Sequence, residues 1–334
     1  MTALRIIFMG TAELSRASLE SLARDEKFSV AAVVTQPDKP KGRDLKLQPS
    51  PVKMLAEKLR LPVLQPAKAR DEKFISELRE LKPDLIVVVA YGQILPQVIL
   101  DLPKYGCLNV HTSLLPKFRG AAPIQWAIAT GETETGVTIM KMDAGLDTGP
   151  IVSQRRTPIL ATDDSATMHD RLARLGAQLL AQTIPDYIAG KIQPLPQPAA
   201  GVSHAPKIKK EDGRIDWNRP AGTIWNRLRA FTPWPGAFTL LAGEPKQQLL
   251  KIWKAEVVEK DSGGDSALRC PDAAARRPCP GEILSADKNG ILIACGLNAL
   301  RILELQREGG KRLTAEQFLA GHPLKAGKKI EQPD

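Results

Sequence analysis

With 334 residues, 43% of them hydrophobic, the chain is long enough for more than one buried core, and two domains are expected. No apolar run approaches the ~18 residues needed to cross a bilayer, and the N-terminus enters a core-like strand without a cleavable leader, so a membrane protein is not expected and the reading is cytoplasmic. The formal net charge of +10 favours a polyanionic partner; residues 201–334 carry 22 Lys+Arg against 16 Asp+Glu, and residues 1–200 carry 25 against 21. Cys107, Cys270, Cys279 and Cys295 form no C-x-x-C pair and the four histidines are scattered, so neither a zinc site nor a disulfide framework is expected.

Taken in order, residues 4–9, 30–35, 85–91 and 107–111 are short runs rich in Ile and Val, separated by helical spacing such as that of residues 14–22. This βαβ pattern predicts an α/β fold, a doubly wound parallel sheet covered by helices. Gly10-Thr-Ala-Glu-Leu after the first strand lacks the spaced glycines of a dinucleotide fingerprint, and Thr35-Gln-Pro offers no acid for a ribose, which argues against a nicotinamide enzyme. Residues 36–46 are polar and broken by proline. Their place after the second strand predicts an irregular loop carrying Lys39, Lys41, Arg43 and Lys46.

Asn109 and His111 lie two apart at the end of an apolar run, so on a strand they share a face at the sheet edge where open parallel sheets bind ligands. A second run, 137–140, leads into Asp143-Ala-Gly-Leu-Asp147-Thr-Gly, which supplies two carboxylates able to converge on the same point from a neighbouring strand. A helix is predicted from Asp163-Asp-Ser-Ala, with early acids suited to its positive end. Residues 190–208, with Pro194, Pro196 and Pro198, read as a stiff extended linker that divides a first domain (1–189) from a second (209–320) and a tail (321–334). Beyond it come a helix at 221–231 and strands at 237–241, 249–257, 291–295 and 300–305, a pattern that suggests a small β-barrel; 261–280 looks like an inserted surface segment.

Ser113-Leu-Leu-Pro, Arg119-Gly-Ala-Ala-Pro-Ile, Asp143-Ala-Gly-Leu-Asp-Thr-Gly and Phe231-Thr-Pro-Trp-Pro-Gly, with Thr35-Gln-Pro-Asp, Ser50-Pro-Val-Lys and Val89-Ala-Tyr-Gly, closely resemble the formyltetrahydrofolate-dependent transformylases, in particular the branch acting on methionyl-tRNA. The resemblance runs through most of the chain. It implies a Rossmann-like formyltransferase domain followed by a barrel of the oligonucleotide-binding type. It further implies transfer of a formyl group from 10-formyltetrahydrofolate, a co-substrate, to the α-amine of initiator methionyl-tRNA, without a metal.

By the same resemblance Asn109, His111 and Asp147 are the catalytic trio, and folate is held by Val89, Ala90, Tyr91 and Gly92 together with Ser113, Leu114, Leu115 and Pro116. Chemically the trio suits the task. Asn109 and His111 can donate to the formyl oxygen as it becomes negative, and one preorganised donor of this kind is commonly worth ~3 to 4 kcal/mol of barrier. Asp147 would orient His111, favour its protonated form and help a water carry the amine's proton, while Asp143 reads better as a loop cap. Loop 36–46 resembles the segment that enters the tRNA acceptor arm, with Arg43 its principal contact. Lys207, Lys209, Lys210 and Arg229 are expected to meet phosphates. Ala12, Leu14 and Thr112 depart from the family pattern, Thr112 standing where glycine is usual. A monomer is expected. The alternatives are a transformylase of a small amine and a non-catalytic RNA-binding paralogue.

Overall fold

A computed structural model of the chain describes residues 3–41, 46–241, 248–259 and 278–330. The chain divides into two compact units, the first made of residues 1–124, 133–160 and 167–206 and the second of residues 125–132, 161–166 and 207–334.

In chain order the first unit contains β1 (Leu4–Gly10), α1 (Ser15–Arg24), β2 (Phe28–Val34), β3 (Lys39–Lys41), β4 (Lys46–Gln48), α2 (Pro51–Lys58), β5 (Val63–Leu64), α3 (Glu72–Glu80), β6 (Leu85–Val89), α4 (Gln97–Leu100), β7 (Cys107–His111) and β8 (Arg119–Gly120). After α5 (Pro123–Ala129) come β9 (Glu134–Lys141), β10 (Ile151–Pro158), α6 (Ser165–Ile188) and β11 (His204–Ala205). A seven-stranded sheet runs β10-β9-β7-β6-β1-β2-β5. Along that order the strands from β7 to β5 are parallel, as the βαβ pattern predicts, whereas β9 and β10 are antiparallel additions. Ile6, Ile7, Phe8 and Met9 of β1 are all fully buried because both faces of a central parallel strand are covered. Helix starts are chemically marked: the Ser50 hydroxyl accepts from Lys53 N with Pro51 at the first position, and the Asp71 carboxylate accepts from Lys73 N and Phe74 N.

Two sequence expectations change. Residues 190–208, read as a free linker, belong to the first unit as far as Pro206; Leu195 exchanges backbone hydrogen bonds with Ile151, and β11 pairs with β8. Helix α6 continues through Pro185 to Ile188 and ends just before that stretch. Residues 36–46 contain a short antiparallel hairpin, β3 with β4, rather than a loop throughout; residues 42–45, and so Arg43, lie outside the described residues, as do the side chains of Lys41 and Lys46.

The second unit adds a 3-10 turn (Lys210–Gly213), α7 (Ala221–Phe231), β12 (Ala237–Leu241), β13 (Gln248–Val258), β14 (Ile283–Asp287), β15 (Gly290–Ala294), β16 (Ala299–Arg307), β17 (Arg312–Thr314) and α8 (Ala315–Gly321). The counterpart of the expected barrel is a six-stranded antiparallel sheet, β12-β13-β16-β15-β14, with β17 on β16. Its inner face, with Leu250, Ile252, Ile291, Ile293, Leu300 and Ile302, packs against α7 and α8 around the fully buried Trp217. Residues 321–330, expected as a tail, contribute instead: Glu282 and Lys329 form a β-bridge, and Ile330 is buried in the same core. Most of the 261–280 insertion lies outside the described residues.

Candidate active site

Strand β7 presents Asn109 and His111 on one face, as their spacing requires. Asp147 reaches them by an unexpected route. Strand β9 runs antiparallel to β7, with Lys141 beside Leu108, so its end lies away from His111 and the loop 142–150 must turn back toward the site. Two features make that turn possible. The Asp143 carboxylate accepts from Gly145 N (3.1 Å) and from the Thr148 hydroxyl (2.7 Å), which is the loop-capping role anticipated for it. Gly149 passes so close to Lys141 that a Cβ would lie 1.8 Å from the Lys141 carbonyl oxygen.

The result is a convergence. Asn109 Nδ2 donates to Asp147 Oδ1 at 3.3 Å, a long contact, while Gly120 N donates to Oδ2 at 2.8 Å. His111 Nδ1 faces Oδ2 at 3.7 Å, with the two side chains 6% and 13% exposed. On its other side His111 Nε2 lies 2.9 Å from the Phe118 carbonyl. A carbonyl oxygen only accepts, so the proton on Nε2 is committed there and Nδ1 is the nitrogen turned toward the carboxylate. Cys107, on the same strand, is buried and its thiol is pushed up to about 12 by that burial, so at neutral pH it is no nucleophile.

Beside the trio, residues 113–116 form a fixed corner. The Thr138 hydroxyl donates to the Ser113 carbonyl (2.7 Å) and accepts from Leu115 N (3.1 Å) and Gln154 Nε2 (2.9 Å), and the Ser113 hydroxyl donates to Lys117 O (2.6 Å). Ser113 and Leu115 are buried, whereas Leu114 and Pro116 are half-buried and remain available to a ligand. After β6, buried Val89 and Tyr91 alternate with exposed Ala90 and Gly92, both in left-handed backbone conformations (φ 43° and 81°). The Val89 carbonyl already accepts from the Ser15 hydroxyl and the Tyr91 carbonyl from Thr11 and Gln36, so the main chain turned outward is that of Ala90 and Gly92. The Tyr91 ring itself is part of the core, and burial pushes its phenol up to about 12.

Other expected site residues are not gathered here. Lys207, Lys209 and Lys210 are exposed around the start of the second unit. Lys39 is exposed and hydrogen-bonds Gln36. Arg229 is a correction: its guanidinium stacks 3.9 Å above the Trp225 ring and donates to the Asp163 carbonyl (2.9 Å) and to Asn226 Oδ1 (2.8 Å), while burial lowers its pKa. It is half-buried structural glue, not a surface cation waiting for phosphate. Thr112 is buried and outside the left-handed residues, so the missing glycine carries no backbone strain. Sequence reading missed Gly120 and Gln197, whose roles depend on contacts 27 and 50 residues away along the chain. Among the described residues, no helix is long and apolar enough to cross a membrane, and no cluster of three or more His, Cys, Asp or Glu could hold a metal.

A doubly wound sheet with this polar trio at its edge is the architecture of a one-carbon transferase, and the chain belongs to the formyl transferase family. Residues 4–184 match the family's formyl transferase model and residues 207–323 that of its C-terminal domain. Its full-length relatives bear a narrower name. It is 50% identical to the methionyl-tRNA formyltransferase of Citrifermentans bemidjiense, over 100% of this chain and 98% of that one, and 49% identical to that of Trichlorobacter lovleyi, over 98% and 97%. Among solved structures it resembles an N-formyltransferase from Helicobacter canadensis in complex with folinic acid and dTDP-3-aminofucose (19% identity, TM-score 0.62, 90% of this chain and 99% of that one). It also resembles HypX from Aquifex aeolicus in complex with tetrahydrofolic acid (18% identity, TM-score 0.60), covering 99% of this chain but 51% of HypX, so this chain spans about half of HypX's length. At such identities the structural likeness speaks for the fold.

Proposed function

We propose that this protein transfers the formyl group of 10-formyltetrahydrofolate to the α-amine of initiator methionyl-tRNA in the cytoplasm, with Asn109, His111 and Asp147 carrying the chemistry. The observation that supports this most is the convergence on one point of an amide and an imidazole from β7 with a carboxylate from the loop that follows the antiparallel β9. The folate supplies the activated formyl carbon. The residues available to it fit: outward main chain at Ala90 and Gly92, half-buried Leu114 and Pro116, and a rigid corner around Thr138.

The long Asn109–Asp147 contact can be exchanged for one from Asn109 Nδ2 to the formyl oxygen at little cost. His111 turns Nδ1 toward the same space, and Phe118 O keeps the ring from rotating. Asn109 Nδ2–H and, once His111 also carries a proton on Nδ1, the imidazolium oppose the negative charge that develops on the formyl oxygen as the amine adds. Asp147, held by Gly120 N, takes the proton lost by the amine, directly or through a water; as the tetrahedral intermediate collapses the bond from the formyl carbon to the folate nitrogen breaks, that nitrogen takes up a proton, and tetrahydrofolate leaves. Phosphate contacts are assigned to Lys39, Lys41, Arg43 and Lys46 of segment 36–46 and to exposed Lys207, Lys209 and Lys210, without Arg229.

Incubation with the folate donor and aminoacylated initiator tRNA should yield formyl-methionine. No such product, alongside turnover of a small amine, would transfer the reading to another formyl acceptor.

A further inference from the structure

Asp147 occupies a left-handed backbone conformation (φ 53°) on a loop where Asp143, Ala144, Gly145, Leu146 and Thr148 are all exposed. Packing therefore does not hold it. Aspartate tolerates that conformation better than most side chains, but it still costs more than extended backbone, and on an exposed loop its single orientation needs a group that imposes it. The imposing group comes from the Pro-rich stretch. Gln197 Nε2 donates both of its hydrogens, one to the Asp147 carbonyl and one to the Gly149 carbonyl, each at 2.8 Å. Gln197 Oε1 accepts the Arg119 guanidinium at 3.1 Å (Nε) and 2.7 Å (Nη2). Arg119 in turn precedes Gly120, whose N–H binds the Asp147 carboxylate. These hydrogen bonds close a ring that grips residue 147 by its backbone and by its side chain. Among residues 195–200, Gln197 alone is not exposed.

We propose that Gln197, anchored by Arg119, is a positioning residue for formyl transfer: it holds the strained Asp147 backbone so that the carboxylate faces His111 and Asn109. The inference rests on the function proposed above. Gln197 acts through Asp147 and not on the substrates, so its loss should appear in turnover and not in binding.

The test is a double-mutant cycle in steady-state formylation of methionyl-tRNA. Gln197→Met keeps the length and removes both donors; it should lower kcat by about 10- to 100-fold, the range associated with ångström-scale misplacement of a catalytic group. KM for folate and tRNA should stay within about 3-fold of the parent. Gln197→Glu retains Arg119's partner but sets oxygen against two carbonyls, and should be no better. In an Asp147→Asn background the methionine substitution should cost less than about 2-fold further, since the carboxylate it positions is gone. Independent, multiplicative losses, or an active Gln197→Met at the parental kcat, would overturn the role. Should Gln197→Met not fold, the same cycle with Gln197→Asn, whose shorter amide cannot span Arg119 and both carbonyls, decides on the same criterion. A parent that makes no formyl-methionyl-tRNA would instead overturn the function beneath it.

Discussion

The two units treat backbone irregularity differently. In the first, five of the described non-glycine residues adopt left-handed conformations; Arg60 and Lys82 follow the ends of helices α2 and α3, whereas Ala90, Phe118 and Asp147 all line the candidate site. In the second, among the described residues, Asn298 alone does so. Strain of this kind gathers where geometry matters for chemistry, because surrounding hydrogen bonds must over-determine it. Both units have apolar cores, but the second carries this irregularity at one described residue, and its Lys207, Lys209 and Lys210 are exposed. A substitution at the site in the first unit should thus damage reaction more than folding. In the second, the core should damage folding and the surface should damage association.

The largest effect expected from this contrast lies in the second unit's core. Trp217 is fully buried and its indole N–H donates to the buried Thr239 hydroxyl (3.1 Å). Trp217→Ala should cost ~3 to 5 kcal/mol in denaturant unfolding, from the cavity and the orphaned hydroxyl together. A loss below ~1 kcal/mol would show that this core is not what holds the unit.

Next come His111→Ala and Asp147→Asn, each expected to lower kcat by at least ~100-fold with folate binding near the parental value. Parental turnover in either would remove that residue from the chemistry, and a loss of stability instead would make its role structural. Arg43→Ala should lower kcat/KM for methionyl-tRNA by ~10-fold, about 1.4 kcal/mol, leaving folate affinity unchanged; equal kinetics would remove segment 36–46 from the tRNA-binding surface.

Smaller still is the effect of charge. Replacing exposed Lys209 and Lys210 by alanine should reduce the slope of log affinity for tRNA against log salt by roughly 0.7 to 0.9 for each phosphate no longer neutralised. An unchanged slope would leave them as solvated surface.

The smallest effect concerns pH. Hydrogen bonds from Lys53 Nζ and Gln65 Nε2, each 2.8 Å, hold the Asp38 carboxyl below the usual carboxylate range. Because the folded value is depressed, this contribution is fully present above the ordinary pKa of ~3.9 and is lost as pH falls through the lowered value. Asp38→Asn should flatten the acid limb of Tm against pH slightly. Parallel curves for parent and variant would assign that limb to other carboxylates.

Several elements are legible in the amino-acid sequence because one local period decides them. β7, α7 and β12 occupy the residues their patterns mark, and the i, i+2 spacing of Asn109 and His111 is enough to place both on one face. Other elements were missed although their signals are local: Thr314-Ala-Glu-Gln is a capping box at the start of α8, and the Ser50 hydroxyl caps α2. β10 gives no apolar run because, as an edge strand, it carries polar residues on both faces, Ser153, Gln154, Arg155 and Arg156 in succession.

What the sequence determined by itself was the class of fold, the identity of the three polar groups and the family, since residue type and short spacing carry that information. The tertiary structure alone decided that β9 runs against β7, that Asp147 returns to the site on a strained turn, that Arg229 is spent on Trp225 and Asp163, and that a proline-rich stretch supplies Gln197. Each of these depends on hydrogen bonds or stacking between groups that only the folded chain brings together, and no local periodicity encodes which distant donor a carbonyl will find.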